Sequence, residues 1–395
     1  MIFHTADWHL GQTLHGHDRG PEHDAFLRWF LDAIREAQPD GVLLAGDVFD
    51  VASPSAASTH RYFRFLAEVA RASPQTTVVV IAGNHDSPHR LEASKELLDQ
   101  LRVRVVGRAD DLERMLVPLG PIDAPKAWVL AIPYLRPADL SAWSEASDPE
   151  QRVIEGYRRL HDALLDRLAA RRAGRPVIAM GHCYMAGGTT SEESERPIQR
   201  GYQSAFPSDV VPAELSYVAL GHLHRAQAVP GETAIRYSGS PIPLSMTEKD
   251  YLHQMVAIRL GERTEVETRA IPRSVPFLVV PLEAKPLDQV LAELRALPRF
   301  EAPPFLEVRV QLEAAEPRLR RRVEEALAHT SVRLTRIVVQ RPQGVEPDWS
   351  PAPLRQLAPR DVFEQLVQRT RGTLPSPELS KLFDEVASQA SEESS

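Results

Sequence analysis

An α/β fold is the architecture this sequence predicts. Short runs of branched aliphatic residues recur, and each leaves through a small residue into a histidine, aspartate or asparagine. Segments of helical period lie between those runs, the alternation expected of strands and helices packed in layers. With 43% hydrophobic and 25% charged residues over 395 positions, the composition is that of a globular protein with a real core.

The elements follow in order. Ile2–Thr5 opens the chain as a strand and leads through Ala6 to Asp7; His4 within it is a structural residue. Residues 22–37 form a helix, since Phe26, Phe30 and Ile34 share a face and Pro39-Asp40-Gly41 ends the run. Val42-Leu43-Leu44-Ala45 leads to Gly46-Asp47, and Val78 to Ala82 lead to Gly83-Asn84-His85-Asp86. Residues 59–71, 94–101 and 151–172 read as further helices. Val177-Ile178-Ala179-Met180 leads to Gly181-His182, and Tyr217-Val218-Ala219-Leu220 to Gly221-His222. Continuous apolar runs fit strands buried on both faces. Their polar exits then lie at the carboxyl ends of strands, where open α/β sheets build their sites. Residues 185–209 are polar and read as a long loop beside that site.

About 150 residues per domain gives two to three domains. Residues 1–272 carry all the polar exits. A proline-punctuated break near Ile271-Pro272-Arg273 precedes a small α/β module, residues 273–345. There Leu306, Val308, Val310 and Leu312 alternate as a half-buried strand, and Leu319, Val323 and Leu327 give a helix stripe. Residues 346–388 read as a linker and a helical partner-docking segment. One helix there carries Val362, Phe363, Leu366 and Val367, and another Leu379, Leu382, Phe383 and Val386. Packing onto the chain's own core is the competing reading of those stripes. Residues 389–395 read as a disordered tail.

Cys183 is the one cysteine, so neither an intrachain disulfide nor a cysteine-cluster zinc site can form. The N-terminus has no signal-peptide pattern, and no run approaches the roughly 18 apolar residues of a membrane helix. A soluble cytoplasmic protein is the expectation. The net charge of -8 and pI of about 6.0 carry no nucleic-acid footprint. Lysine stands only at Lys95, Lys126, Lys249, Lys285 and Lys381; the rest of the 46 basic residues are arginine. Arginine suits bidentate phosphate contacts, but biased codon usage gives the same excess.

The chemistry lies in clusters: Asp7-x-His9, Gly46-Asp47-x-x-Asp50, Gly83-Asn84-His85-Asp86, Gly181-His182 and Gly221-His222-x-His224. Oxygen and imidazole donors without thiolate suit manganese, iron or zinc, whereas calcium prefers an all-oxygen shell. Seven such donors can hold two ions if one carboxylate bridges them. Such a pair clamps the attacking and leaving oxygens of a displacement at phosphorus and lowers the pKa of a bound water. Each cluster alone is a weak signal; the ordered set, each member following a strand, is a strong one.

In this order and spacing the clusters resemble those of the calcineurin-like metallophosphoesterases, and within them the SbcD family of nuclease subunits. Asp7-Trp8-His9-Leu10-Gly11-Gln12, Ala45-Gly46-Asp47-Val48-Phe49-Asp50, the run from Leu220 to Gln227, and Ser238-Gly239-Ser240-Pro241-Ile242-Pro243-Leu244-Ser245 carry the closer likeness. The resemblance implies a layered α/β/β/α domain capped by the small module and followed by C-terminal helices. It implies one ion held by Asp7, His9, Asp47 and His224, and a second by Asp47, Asn84, His182 and His222. His85 would act as general acid or transition-state stabiliser, with Asp86, or less directly Asp50, orienting it. Some relatives carry histidine where Asp50 stands, which leaves the role of that position open. The activity implied is metal-assisted phosphodiester hydrolysis with manganese, as a double-strand exonuclease and a single-strand and hairpin endonuclease in DNA repair and recombination. A homodimer and a coiled-coil SbcC-type ATPase partner, docked through the C-terminal helices, are implied too. This chain has no phosphate-binding Gly-Lys loop for ATP.

Arg19, Arg61, Arg90, Arg196 and Arg225 lie beside the clusters and are the DNA-contact candidates, each equally readable as a salt-bridge or surface group. The run Arg318, Arg320, Arg321 and Arg322 is followed by Glu324 and Glu325, so intrahelical ion pairs are the better reading there. The alternative function is a calcineurin-like phosphoesterase acting on nucleotides or phosphoproteins, and a third is an adaptor with a vestigial site.

Overall fold

The computed structural model describes residues 1–121, 123–191, 205–231, 233–341, 360, 363–364, 366–368 and 374–392. Two six-stranded sheets form its body. The first runs Glu265–Ala270, Gln254–Arg259, Ile2–Thr5, Gly41–Ala45, Thr77–Ile81, Val103–Val106, and the second Gln227–Val229, Ile235–Tyr237, Tyr217–Gly221, Val177–His182, Ala127–Ala131, Leu116–Leu119. Within each sheet the strands that lead into the polar clusters run parallel to one another, with Ile2 opposite Gly41, Gly41 opposite Thr77, and Tyr217 opposite Ile178.

Alternation along each strand explains the layering. In the first sheet Val42, Leu44, Val78 and Val80 pack with Phe26, Phe30, Phe65 and Val69 of helices Gly20–Ala37 and Ala56–Ala72. Leu43, Ala45, Val79 and Ile81 point the other way, into a core shared with Val129, Ile178, Met180 and Ala219 of the second sheet. Leu160, Leu164 and Leu168 of helix Pro149–Arg172 join that core. The result is the layered α/β/β/α domain that the family pattern implied. Among the described residues no helix is long and apolar enough to cross a membrane.

Sequence reading missed the antiparallel borders. Gln254–Arg259 pairs antiparallel with Ile2–Thr5 and with Glu265–Ala270, and the outer of these strands is mostly exposed, so its sequence carries no apolar run. The expected helix over residues 94–101 is instead a turn at Glu92–Ser94 and a short helix at Lys95–Asp99. Only Leu98 is buried there and Leu97 is 68% exposed, so no apolar stripe holds a longer helix.

The small module has strands Phe277–Pro286, Phe305–Gln311 and Arg333–Gln340 in that order, with helices Leu287–Arg295 and Leu319–Leu327. Phe305 and Val275 pack with Leu14 and Met246. Arg320 and Arg321 pair with Glu324 and Glu325, four residues on, as the charge pattern suggested. A second compact unit comprises Gln311–Ala315 and Val339–Ser395. Its helix Pro377–Glu392 stacks Phe383 on Phe363 at 4.2 Å, and Arg360 pairs with Asp384. Part of the expected helix over 361–368, most of the loop over 185–209 and the last residues of the tail lie outside the described residues.

His4 is a polar link between the sheets. It is fully buried; Nε2 donates to the Leu220 carbonyl and Nδ1 accepts from the Tyr217 hydroxyl, at 3.2 and 3.1 Å. Burial lowers its pKa to about 3. The unfolded chain therefore takes up a proton at His4 below about pH 6.5 that the folded chain refuses, so stability at this residue is full above that pH and is lost as pH falls. Urea titrations from about pH 7.5 to 5 should show a falling unfolding free energy, with His4 contributing up to about 1.4 kcal/mol per pH unit. That share should be missing in His4→Leu; an unchanged pH slope in the variant would remove His4 from the account.

Candidate metal centre

The polar side chains meet at the carboxyl ends of the central strands. Two loops run side by side there: Asp7 N–H donates to Gly46 O, His9 N–H to Asp47 O and Leu10 N–H to Val48 O, each at 3.0 Å. Asp7, His9 and Asp47 have φ of 54°, 45° and 49°, and His222 has 103°. Left-handed backbone at such residues costs about 1–3 kcal/mol each and persists only where the surroundings enforce it. Trp8 anchors the first loop, its ring edge-on to Phe26 and Phe65 at 5.5 and 5.3 Å and its indole N–H on Thr5 Oγ1. With Trp8 turned into the core, Asp7 and His9 face the other sheet's loops. Glycine is required where those loops touch: a Cβ on Gly83 would strike Asp47, and one on Gly46, itself at φ 88°, would strike His182.

Asp7, His9, Asp47, His182, His222 and His224 are all buried and Asn84 is half-buried. Ligand atoms of Asp7, His9 and His224 lie within 4.8 Å of one another, as do those of Asp7, Asp47 and His182. Asp47 Oδ2 stands between the two groups, 3.5 Å from His9 Nε2 and 3.4 Å from His182 Nε2. Asn84 Oδ1 is 2.9 Å from His182 Nε2 and 3.0 Å from His222 Nδ1.

These neighbours are acceptors facing acceptors. His182 Nδ1 donates to the Ala45 carbonyl at 2.9 Å, so in the neutral ring Nε2 is a lone pair, yet it faces Asn84 and Asp47 oxygens. Burial lowers the His182 pKa, but the Asp47 and Asp7 carboxylates outweigh it and raise it to about 9: the bare cluster draws in a positive charge. At His222 burial wins, and with His182 nearby it lowers the pKa to about 3. His9 Nδ1 faces the Asp50 carboxylate at 3.2 Å, which leaves Nε2 as a lone pair. That atom and Asp7 Oδ2 are buried without a hydrogen-bond partner. Orphaned buried acceptors are rare because each costs about 1–3 kcal/mol. Divalent cations are the group these donors fit.

Around the cluster lie residues that hold it. Asp86 and Asp50 were expected to orient His85. The bonds that Asp86 makes are to backbone amides. Its buried carboxylate accepts backbone N–H groups of Gly83, Phe49 and Val48 at 2.9, 3.0 and 3.1 Å, fastening one loop to the other. His85 Nδ1 instead donates to the Asp50 backbone carbonyl at 2.7 Å, while the Asp50 carboxylate serves His9. Sequence reading missed Glu248 altogether. It is fully buried, with Oε1 3.1 Å from His224 Nδ1 and Oε2 accepting the Leu244 N–H at 2.7 Å. Its only sequence signal is a glutamate placed just after the Ser238 to Ser245 run.

The arginines divide. Arg19 is fully buried and is not a DNA contact: it forks onto Glu22 at 2.5 and 2.8 Å, donates to Pro243 O and Gln12, and lies over the Phe305 ring. Arg61 is committed to Asp24 at 3.0 Å. Arg90 and Arg225 are exposed, and Arg225 stands 5.7 Å over the Tyr251 ring. Arg196 lies outside the described residues.

Comparison with known proteins agrees with this geometry. Residues 1–226 match the family model described as calcineurin-like phosphoesterase, and residues 273–371 match one described as type 5 capsule protein repressor C-terminal domain. The SbcD subunit of the SbcCD nuclease from Rhodobacter capsulatus is 38% identical over 89% of this chain and 90% of its own length. The chain belongs to the SbcD family of calcineurin-like phosphoesterases. The corresponding SbcD protein of Escherichia coli is 34% identical over 78% of this chain and 77% of its own. That of Bacillus subtilis is 31% identical over 99% of both. As an SbcD-family member the chain is a metal-dependent phosphodiesterase that uses divalent cations.

A carboxylate behind a metal-binding histidine fixes its tautomer and raises its basicity, and losing one typically costs about 10–100-fold in metal affinity. Glu248→Gln should therefore weaken manganese binding, measured by calorimetry, by about that factor with the fold retained. Wild-type affinity in the variant would show that Glu248 only packs the loop.

Proposed function

We propose that this chain is the nuclease subunit of an SbcCD-type machine, hydrolysing DNA phosphodiesters at a centre of two divalent cations. The observation that carries the reading is the converging set of buried acceptors around Asp47, with His9 on one side and His182 on the other. Asp7, His9, Asp47 and His224 would hold one ion, and Asp47, Asn84, His182 and His222 the other. The mixed oxygen and imidazole set suits manganese. Bound there, the pair supplies charge stabilisation at phosphorus and a water of lowered pKa.

The chain's own residues do the rest. The Asp50 carbonyl fixes the His85 ring through its Nδ1–H; when the ring is doubly protonated, Nε2–H is the proton handed to the departing sugar oxygen, and the ring is left neutral. The ring stands edge-on to His9, 4.7 Å between centroids. His85 backbone N–H donates to Asp47 Oδ1 at 2.8 Å, which ties the loop of the proton donor to the carboxylate that would be shared by the two ions. Asp86 keeps the loop of Asn84 and His85 at a fixed distance from that of Asp47.

Cutting of duplex ends, hairpins and single strands belongs to the same proposal, as do a cytoplasmic location and a homodimer of nuclease subunits. Docking of an SbcC-type ATPase is proposed for the unit that contains helix Pro377–Glu392. Leu374 and Leu382 are 63% and 56% exposed on it, apolar side chains available for a partner to cover.

With manganese present, the wild-type chain should degrade a labelled duplex, and His85→Ala should lower turnover by about 10²–10⁴-fold while binding as much metal. Undiminished cleavage by the variant would refute the role given to His85. A chain that hydrolyses an aryl phosphodiester but no DNA would instead be a phosphoesterase for small substrates.

A further inference from the structure

A cleft of about 670 Å³ opens beside Asn84, within the roughly 300–1,000 Å³ usual for small-ligand sites. Nothing in the chemistry derived above uses it. Gly83 and Asn84 form one wall and Tyr134 and Trp143 line others. Tyr134 is tied to the metal-binding loop: its backbone N–H donates to Ala82 O at 2.8 Å, and its ring stands edge-on to His182. Trp143 is half-buried and packs against the core. Its backbone N–H donates to Leu140 O and its backbone carbonyl accepts from Arg159, so the segment that carries the indole is held in place.

The charges of the cleft decide what it takes. Arg108 pairs with Asp110 at 3.2 Å, and Arg136 with Asp139 at 2.9 Å; all four line the cleft. Each arginine is neutralised by its own aspartate, so the cleft offers a phosphate little attraction. It offers aromatic faces and a rim of donors and acceptors, the features that hold a nucleobase. We propose that this cleft holds one unpaired base of the substrate strand, belonging to the nucleotide next to the scissile phosphate, with Trp143 as its stacking platform. The proposal rests on the reading of the metal centre as a DNA nuclease. Seating on Trp143 requires the base to leave its own stack, so bases that are already unpaired, as in hairpin loops and frayed ends, enter most easily.

The test is manganese-dependent cleavage by the full chain of a single-stranded oligonucleotide in which one bond is cut. The same oligonucleotide is then offered with an abasic residue on one or the other side of that bond. Wild type should cut one of the two abasic substrates about tenfold more slowly. Trp143→Ala should cut the intact substrate about tenfold more slowly and no longer distinguish the abasic ones, with manganese uptake unchanged. Trp143→Phe should restore both rate and discrimination. Two results would overturn the proposal: a wild type indifferent to either abasic residue, or a Trp143→Ala variant that keeps the full abasic penalty. A wild type that binds manganese but cuts no oligonucleotide would overturn the nuclease reading itself, and this pocket with it.

Discussion

Lone pairs that face one another in a buried place are the constraint on which this structure depends. Asp7 Oδ2 and His9 Nε2 have no hydrogen-bond partner, and His182 Nε2 looks at two oxygens. No rearrangement of protons within neutral rings satisfies all of them. Left bare, such a site is destabilising, and the left-handed backbone at Asp7, His9, Asp47 and His222 adds to the cost. Both features are explained together if the cluster is built for cations whose binding energy offsets them. The surrounding fold serves the same end. Parallel strands of both sheets end level, glycines remove the side chains that would keep the loops apart, and Trp8 nails the first loop to the helical layer.

Much of this was legible in the sequence, for a physical reason. Strands buried on both faces are written as unbroken apolar runs, and a polar residue straight after such a run is exceptional enough to be noticed. Asp7, Asp47, Asn84, His182 and His222 were found that way. The mostly exposed strand Glu265–Ala270 carries no such signature and went unread; its neighbour Gln254–Arg259 is buried but leads into no polar cluster. Side-chain direction was also invisible. Asp86 follows His85 in sequence, yet its carboxylate faces backbone amides of Gly83, Val48 and Phe49. Arg19 looked like a phosphate contact from its position, and only its burial against Glu22, Pro243 and Phe305 showed otherwise.

Residues that hold the centre are spread along the chain more widely than those that form it. Asp50 steadies His9 through its carboxylate and His85 through its carbonyl. Glu248 steadies His224 and pins the loop that also receives Arg19 and Gln12. That loop packs Met246 with Phe305 and Val275 of the module and its approach. The small module therefore shares a hydrophobic cluster and the Arg19 contact with the segments around the centre, and a change at either could reach the His224 side without touching a ligand. The cleft at Trp143 lies on the other side, beside Asn84.

Anomalous diffraction from crystals of the full chain soaked in manganese tests the central claim most directly. The account predicts two peaks about 3.5–4 Å apart, both within bonding distance of the Asp47 carboxylate, one contacted by His9 and the other by His182. A single peak, or two that do not share Asp47, would contradict it.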